Sequence, residues 1–253
     1  MGILKTEKMT RRFGGVVALN ELDLDITEGT VHGLIGPNGS GKTTAFNVIT
    51  GVFSPSSGKI TFLGEDISGM KPYQITEKGI SRTFQIPKTM MKMSVLDNVK
   101  SGCYVRTNAD ISGTFFHIPF RKSKQEKQIE ETSMERLRFV GLEDKAKRIA
   151  GSLAWADQQL LQVARALATE PRLLLLDEPT SGMGMEESER MEEIISHVKS
   201  IGVTVILIAH DVKLVTRSSD VVTAIEFGTK IAEGSPEEVK NHPKVVEAYL
   251  GTD

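Results

Sequence analysis

The stretch GLIGPNGSGKTT, residues 33–44, constrains the fold of this chain more than any other. Leu34-Ile35 reads as the end of a buried strand, and Thr44-Ala45-Phe46-Asn47-Val48-Ile49 as the first turns of a helix. The spacing between them, G-x-x-x-x-G-K-T, is that of a loop that cradles phosphate. Gly36, Gly39 and Gly41 let the backbone curl so that several N–H groups converge on one anion, and the helix behind them adds its dipole. Lys42 is placed to reach the β- and γ-phosphates of a nucleotide, and Thr43 to offer a hydroxyl to Mg²⁺. Small kinases, GTP switches and ATP-driven machines all use such a loop, so the rest of the chain must say what the phosphate is for.

Short β-rich runs recur with helical patterns between them, which predicts an α/β fold around a largely parallel sheet. The expected strands are Leu22–Ile26, Val31–Ile35, Lys59–Phe62, Leu173–Asp177, Val203–Ala209 and Val221–Glu226. From about Pro87 to Ala168 the rhythm breaks. That segment offers no convincing strand, is charged and helical from Lys122 through Val140, and ends in a helix over Gln158–Ala168 with Leu160, Leu161, Ala164 and Leu167 at helical spacing. It reads as a helical lobe (87–168) inserted into a core built from 1–86 and 169–253. A chain of 253 residues with 39% apolar content can bury a core of that size.

Bulk properties exclude several classes. A net charge of −2 gives no support for a protein that coats nucleic acid. One cysteine, Cys103, forbids an internal disulfide, suits a reducing compartment and receives no role. No apolar run approaches the ~18 residues of a membrane span, so work at a membrane has to pass through partners. The opening MGILKTEKMTRRF shows no signal peptide, and its Gly2 and Thr6 fit a myristoylation pattern only at the level of chance.

Three further runs carry chemistry. In RLLLLDEPTSG, residues 172–182, a buried strand ends in two carboxylates, Asp177 and Glu178, at the sheet end where ligands gather. Asp177 is expected beside Mg²⁺; Glu178, pointing elsewhere, is expected to polarise an attacking water. In VTVILIAHD another strand ends at His210, a candidate γ-phosphate contact. In SRTFQIP, Gln85 stands where the helical lobe begins, within reach of both Mg²⁺ and water. No Asn-Lys-x-Asp-like run appears to read a guanine base. A small-molecule kinase would not need Glu178 next to Asp177.

Taken in order, these pieces resemble the ATP-binding subunit of an ABC transporter across essentially the whole chain. The resemblance implies that Phe13 stacks on adenine, that Gly36, Pro37, Asn38, Gly39, Ser40, Gly41, Lys42, Thr43 and Thr44 bind ATP, and that Thr43, Gln85 and Asp177 hold Mg²⁺. It assigns catalysis to Glu178, His210 and Gln85. It also implies that LAWADQQ, 153–159, occupies the signature position, where Leu153, Ala154, Trp155, Ala156 and Asp157 meet the ATP of a partner subunit. RTFQIPKTMMKMSVLDNV, the Gly113–Lys127 insertion, the SGMG turn and the ending HPKVVEAYLG are most similar to the larger ATPase of branched-chain amino acid importers. Urea and other amino-acid importers and the lipopolysaccharide-export ATPase share parts of this pattern. Soluble ABC ATPases usually carry two modules or a long coiled-coil insertion, and neither is present.

The implied machine clamps ATP between this chain and a second ATPase, either an identical subunit or a related one, and the resemblance favours the related one. Two transmembrane permease subunits would ride on the helical lobes and a substrate-binding protein would act indirectly, which places the chain on the cytoplasmic face of the membrane. The signature departs from the usual leucine, serine, two glycines and glutamine. Ala154 lacks the hydroxyl, and Ala156 adds a methyl where close backbone approach is expected. If that position needs positive φ, the methyl costs on the order of 1 kcal/mol, and the site completed for the partner is then weakened. Gly184-Met185 also lacks the polar residue and proline common after the acidic strand. Two weaker patterns each carry two readings. Met90, Met91 and Met93 either form a groove for a permease helix or pack the lobe. Phe115, Phe116 and Phe120 with RKSK either face the membrane or anchor a loop.

Overall fold

The computed structural model describes residues 2–106, 124–209 and 212–250. The chain divides into two compact units, residues 1–85 with 172–253 and residues 86–171.

In the first unit, β1 (Gly2–Phe13) and β2 (Val16–Thr27) form a long antiparallel hairpin across the Gly14-Gly15 turn. The chain then enters the short, fully buried β3 (Val31–Ile35), passes the glycine loop and forms α1 (Lys42–Ile49). β4 (Ser57–Phe62) returns to pair with β1, and β5 (Glu65–Asp66) pairs with β4. These four strands make an antiparallel sheet in the order β2-β1-β4-β5. A short helix α2 (Pro72–Lys78), ended by Gly79 at φ +110°, leads into β6 (Ile80–Arg82).

The second unit contains α3 (Val95–Cys103), α4 (Lys124–Phe139) and α5 (Trp155–Leu167), packed on one another through Val99, Ile129, Leu137, Leu160 and Leu161. The segments 91–96 and 146–151 run against each other through the isolated bridge Ser94 to Ile149 and flanking backbone bonds such as Val95 N–H to the Arg148 carbonyl at 2.8 Å and Ala150 N–H to the Met93 carbonyl at 2.9 Å. Asn98 is fully buried and clasps the backbone of Met90, donating to its carbonyl at 3.1 Å and accepting its N–H at 2.7 Å. Met91 and Met93 remain exposed.

Returning to the first unit, the chain forms β7 (Leu173–Asp177), α6 (Met185–Ser200), β8 (Thr204–Ile208), α7 (Val212–Ser218), β9 (Val221–Glu226), β10 (Thr229–Gly234), α8 (Pro236–Lys240) and α9 (Pro243–Leu250). The main sheet runs β10-β9-β3-β8-β7-β6, parallel throughout except for the antiparallel edge strand β10. β3, β7 and β8 are buried at every residue, which is why each reads in sequence as an unbroken apolar run. One apolar core joins the two sheets through α1: Phe46 and Ile49 pack with Leu4, Ile26 and Ile60 on one side and Leu34, Leu175 and Ile206 on the other. Burying the helix that follows the glycine loop on both flanks fixes the direction in which the loop opens.

Candidate functional site

The glycine loop has its shape because side chains would not fit. Gly36 (φ +155°) would drive a Cβ to 2.1 Å from the Ile225 carbonyl oxygen. At Gly41 (φ +106°) a Cβ would meet the Ala18 carbonyl at 2.6 Å. Gly41 is also the residue that caps α1, and no side chain accepts from the first-turn N–H groups. Those donors therefore converge with the helix dipole on the loop's open side. Lys42 is buried and donates to the carbonyls of Gly36 at 2.6 Å and Pro37 at 2.9 Å. Burial pulls the Lys42 ammonium below its ordinary pKa, against the opposing pull of Glu178 and Asp177. Residues 38–44, together with Ala18, Gln85 and Glu178, line a cavity of about 310 Å³. That volume is in the range of small-molecule sites.

Two carboxylates stand at the carboxyl end of β7. The Asp177 side chain is only 4% exposed. Its Oδ2 accepts from Arg82 Nη2 at 3.0 Å, whereas Oδ1 is buried with no hydrogen-bond partner among the described residues. Burial holds the Asp177 carboxyl above its usual range; Arg82 works against that shift and Glu178 adds to it. Arg82 is itself locked in place. It donates to Asn47 Oδ1 at 2.7 Å and Thr50 Oγ1 at 3.2 Å, and its guanidinium lies 4.5 Å from the Phe84 ring centroid.

Glu178 follows in the left-handed region at φ +48°, with its N–H bonded to the Ile208 carbonyl at 2.8 Å. A non-glycine residue there costs on the order of 1 kcal/mol. The conformation turns its carboxylate into the cavity, where Oε2 accepts from Gln85 Nε2 at 2.6 Å. Three residues far apart in sequence, Lys42, Gln85 and Glu178, thus line one space, with Asp177 held directly behind.

Other residues singled out in sequence fall elsewhere. His210 lies outside the described residues, as do Phe115, Phe116 and Phe120. Phe13 ends β1, packs edge-on to Phe53 at 5.1 Å beneath the Arg11 guanidinium, and does not line the cavity. Leu153, Ala154, Trp155, Ala156 and Asp157 belong to the second unit. Ala154 is the extended residue before α5, Trp155 opens the helix and is 40% exposed, and Asp157 is ion-paired with Lys145. Ala156 corrects the expectation of strain. It sits in the first turn of α5 with no positive φ, so its methyl group carries no backbone penalty.

Sequence reasoning missed Arg82 and Ala18. Arg82 had a signal, a cation in a segment bound for the sheet interior, which demands a buried anion. Ala18 had none.

Comparison with known proteins agrees with this geometry. Residues 19–181 match the ABC transporter family, and residues 229–253 match the family described as branched-chain amino acid ATP-binding cassette transporter. The chain is 39% identical over 251 residues to the high-affinity branched-chain amino acid transport ATP-binding protein BraF of Pseudomonas aeruginosa, covering 98% of each. It is 34% identical over 252 residues to the corresponding protein LivG of Escherichia coli, again covering 98% of each. Among solved structures, an ATP-binding cassette of an ABC transporter in its ADP conformation superposes with a TM-score of 0.86 at 32% identity, covering 99% of both chains.

Proposed function

This chain belongs to the ABC transporter family of ATP-binding cassettes, and from that premise we propose that it drives the import of branched-chain amino acids by binding and hydrolysing ATP in the cavity above β3 and β7. The observation that carries the proposal is the convergence of Lys42, Gln85 and Glu178 on that one cavity, in a chain similar over its whole length to branched-chain amino acid ATPases.

In this reading the N–H groups of Gly39 to Thr44 and the Lys42 ammonium bind the phosphates, and Phe13 stacks on the base. The residues present suit Mg²⁺: the unpartnered Oδ1 of Asp177 is a buried anionic oxygen in need of a cation, and the Thr43 hydroxyl and Gln85 amide oxygen are hard ligands on residues that line the cavity. When bound, the ion would neutralise charge on the phosphates. Glu178 accepts a proton from water as the water oxygen bonds to the γ-phosphorus, and the bond from that phosphorus to the bridging oxygen breaks, its electrons leaving with ADP. His210 steadies the γ-phosphate.

The signature segment 153–157 completes the site of a second, related ATPase subunit, and the pair moves two permease subunits served by a binding protein. No helix of the described residues is long and apolar enough to cross a membrane; the similarity to branched-chain amino acid transport ATPases is what supports a subunit peripheral to the cytoplasmic face. Replacing Glu178→Gln tests the chemistry. ATP binding should persist and the closed pair should accumulate on gel filtration, while turnover drops by about 10²–10⁴. Robust hydrolysis would remove Glu178 from the role of base. Leucine uptake that survives deletion of this chain would refute the transport assignment.

A further inference from the structure

The C-terminal helix α9 reaches the first residue of the phosphate loop. The Gly36 N–H donates to the Tyr249 hydroxyl at 2.9 Å, across 213 residues of sequence. On the other face of the same residue, the Gly36 carbonyl accepts from Lys42 at 2.6 Å. A second strut comes from the turn between β9 and β10: the Gly228 N–H donates to the Ser40 carbonyl at 2.8 Å, while the Gly228 carbonyl accepts from Asn20 at 2.9 Å. The loop is therefore tied at Gly36 and Ser40 by groups from the last thirty or so residues of the chain, and the N–H groups that face the cavity are left for phosphate.

We infer that Tyr249 is a positioning residue for nucleotide binding, its hydroxyl bracing Gly36 so that the loop is already shaped to receive phosphate. α9 is seated well enough to act as a fixed point, since Val245 and Ala248 are both 4% exposed and Pro243 opens the helix. Burial holds the Tyr249 phenol above its ordinary pKa, so at neutral pH it remains a hydroxyl that accepts from Gly36 and keeps its own proton to donate. Gly36 cannot be braced by a side chain of its own, because a Cβ there would collide with the Ile225 carbonyl and the Ser40 hydroxyl. The brace has to come from elsewhere, and Tyr249 supplies it. Without it, the Gly36 peptide can rotate and the loop spends part of its time in conformers that do not cradle an anion. The apparent affinity then falls by that fraction.

The test is Tyr249→Phe in the full chain, which removes one oxygen and keeps the ring packed. A single hydrogen bond of this kind predicts that the Kd values for ADP and ATP, measured by calorimetry with Mg²⁺, rise about three- to tenfold. KM for ATP should rise in step while kcat at saturating ATP holds, since bound nucleotide imposes the loop's shape; a merely structural role would lower the melting temperature and leave Kd alone. Unchanged Kd overturns the inference whatever the melting temperature does. Should the variant fail to fold, amide exchange in the wild-type chain decides: the Gly36 N–H should exchange slowly, and fast exchange overturns the brace. The inference rests on this loop binding nucleotide. Failure of the wild-type chain to bind ADP would refute that reading, whereas normal affinity in Y249F refutes the brace alone.

Discussion

Replacing Arg82→Met would leave the Asp177 carboxylate as an uncompensated charge. Its side chain is 4% exposed and that of Arg82 8%. The pair gains little in absolute terms, because burial pushes the pKa of both groups toward their neutral forms and their mutual attraction only opposes that push. Breaking it is another matter. Orphaning one partner of a buried pair costs about 3–5 kcal/mol, and methionine also forfeits the bonds to Asn47 and Thr50. Asp177 can escape part of this cost by taking up a proton. In the variant the native state then holds a proton that the unfolded chain releases, so stability falls as pH rises from the unfolded carboxyl pKa up to the raised native one. Each pH unit in that window is worth at most about 1.4 kcal/mol. Urea denaturation of the full chain from pH 5 to pH 8 should therefore show the deficit of R82M widening with pH. Adding Asp177→Asn, which removes the charge, should recover much of it. If the double variant at pH 8 loses the plain sum of the two single losses, the coupling argued from the 3.0 Å contact is absent.

Two other perturbations follow from the same reasoning. His32 on β3 is bonded to Thr223 Oγ1 at 2.8 Å, and burial depresses its pKa to about 4. The unfolded chain binds the extra proton between about pH 4 and 6.5, so stability should drop by about 3 kcal/mol on acidification through that window; His32→Gln should flatten the curve, and an equally steep curve would locate the acid sensitivity elsewhere. Ala156→Gly should lower the melting temperature, since glycine in a helix costs about 0.5–1 kcal/mol relative to alanine, and should leave ATPase of the assembled complex unchanged; a rate more than doubled would restore the idea of a weakened partner site.

Where the sequence was readable, the physical signal was local. β3, β7 and β8 are buried on both faces, so apolar runs mark them without help from context. Gly36 and Gly41 are required by carbonyls packed against them and Gly39 by its φ of +78°, and their spacing survives in the sequence as a motif. β1 was missed because its buried residues do not alternate: register shifts near Thr6 and Met9 break the period, and KTEKMTRR reads as a polar segment. Arg82 and Tyr249 escaped for a different reason. Each is explained by one partner, 95 and 213 residues away respectively, and no window along the chain contains both ends. The departure from a glycine pattern at Ala156 raises the question of positive φ, which only the backbone answers: the residue is helical and the condition for strain is not met.

The polar groups around the cavity fall into two kinds, and the difference bears on how the proposed mechanism is controlled. Asp177 is bonded to Arg82 and Gly36 to Tyr249, neither of which lines the cavity. Gln85 and Glu178 instead bond to each other, inside it. While Glu178 Oε2 accepts from the Gln85 amide at 2.6 Å, the lone pair pointed at Gln85 is not turned toward a water molecule. For Glu178 to act as a base, that bond has to lengthen or move to the other oxygen. Glu178 has little freedom to do this itself, being held by its left-handed backbone and its N–H bond to Ile208. Gln85 is the last residue of the first unit before the chain enters the second. In the proposed mechanism, opening the Gln85–Glu178 bond is thus a step that has to precede proton transfer to Glu178.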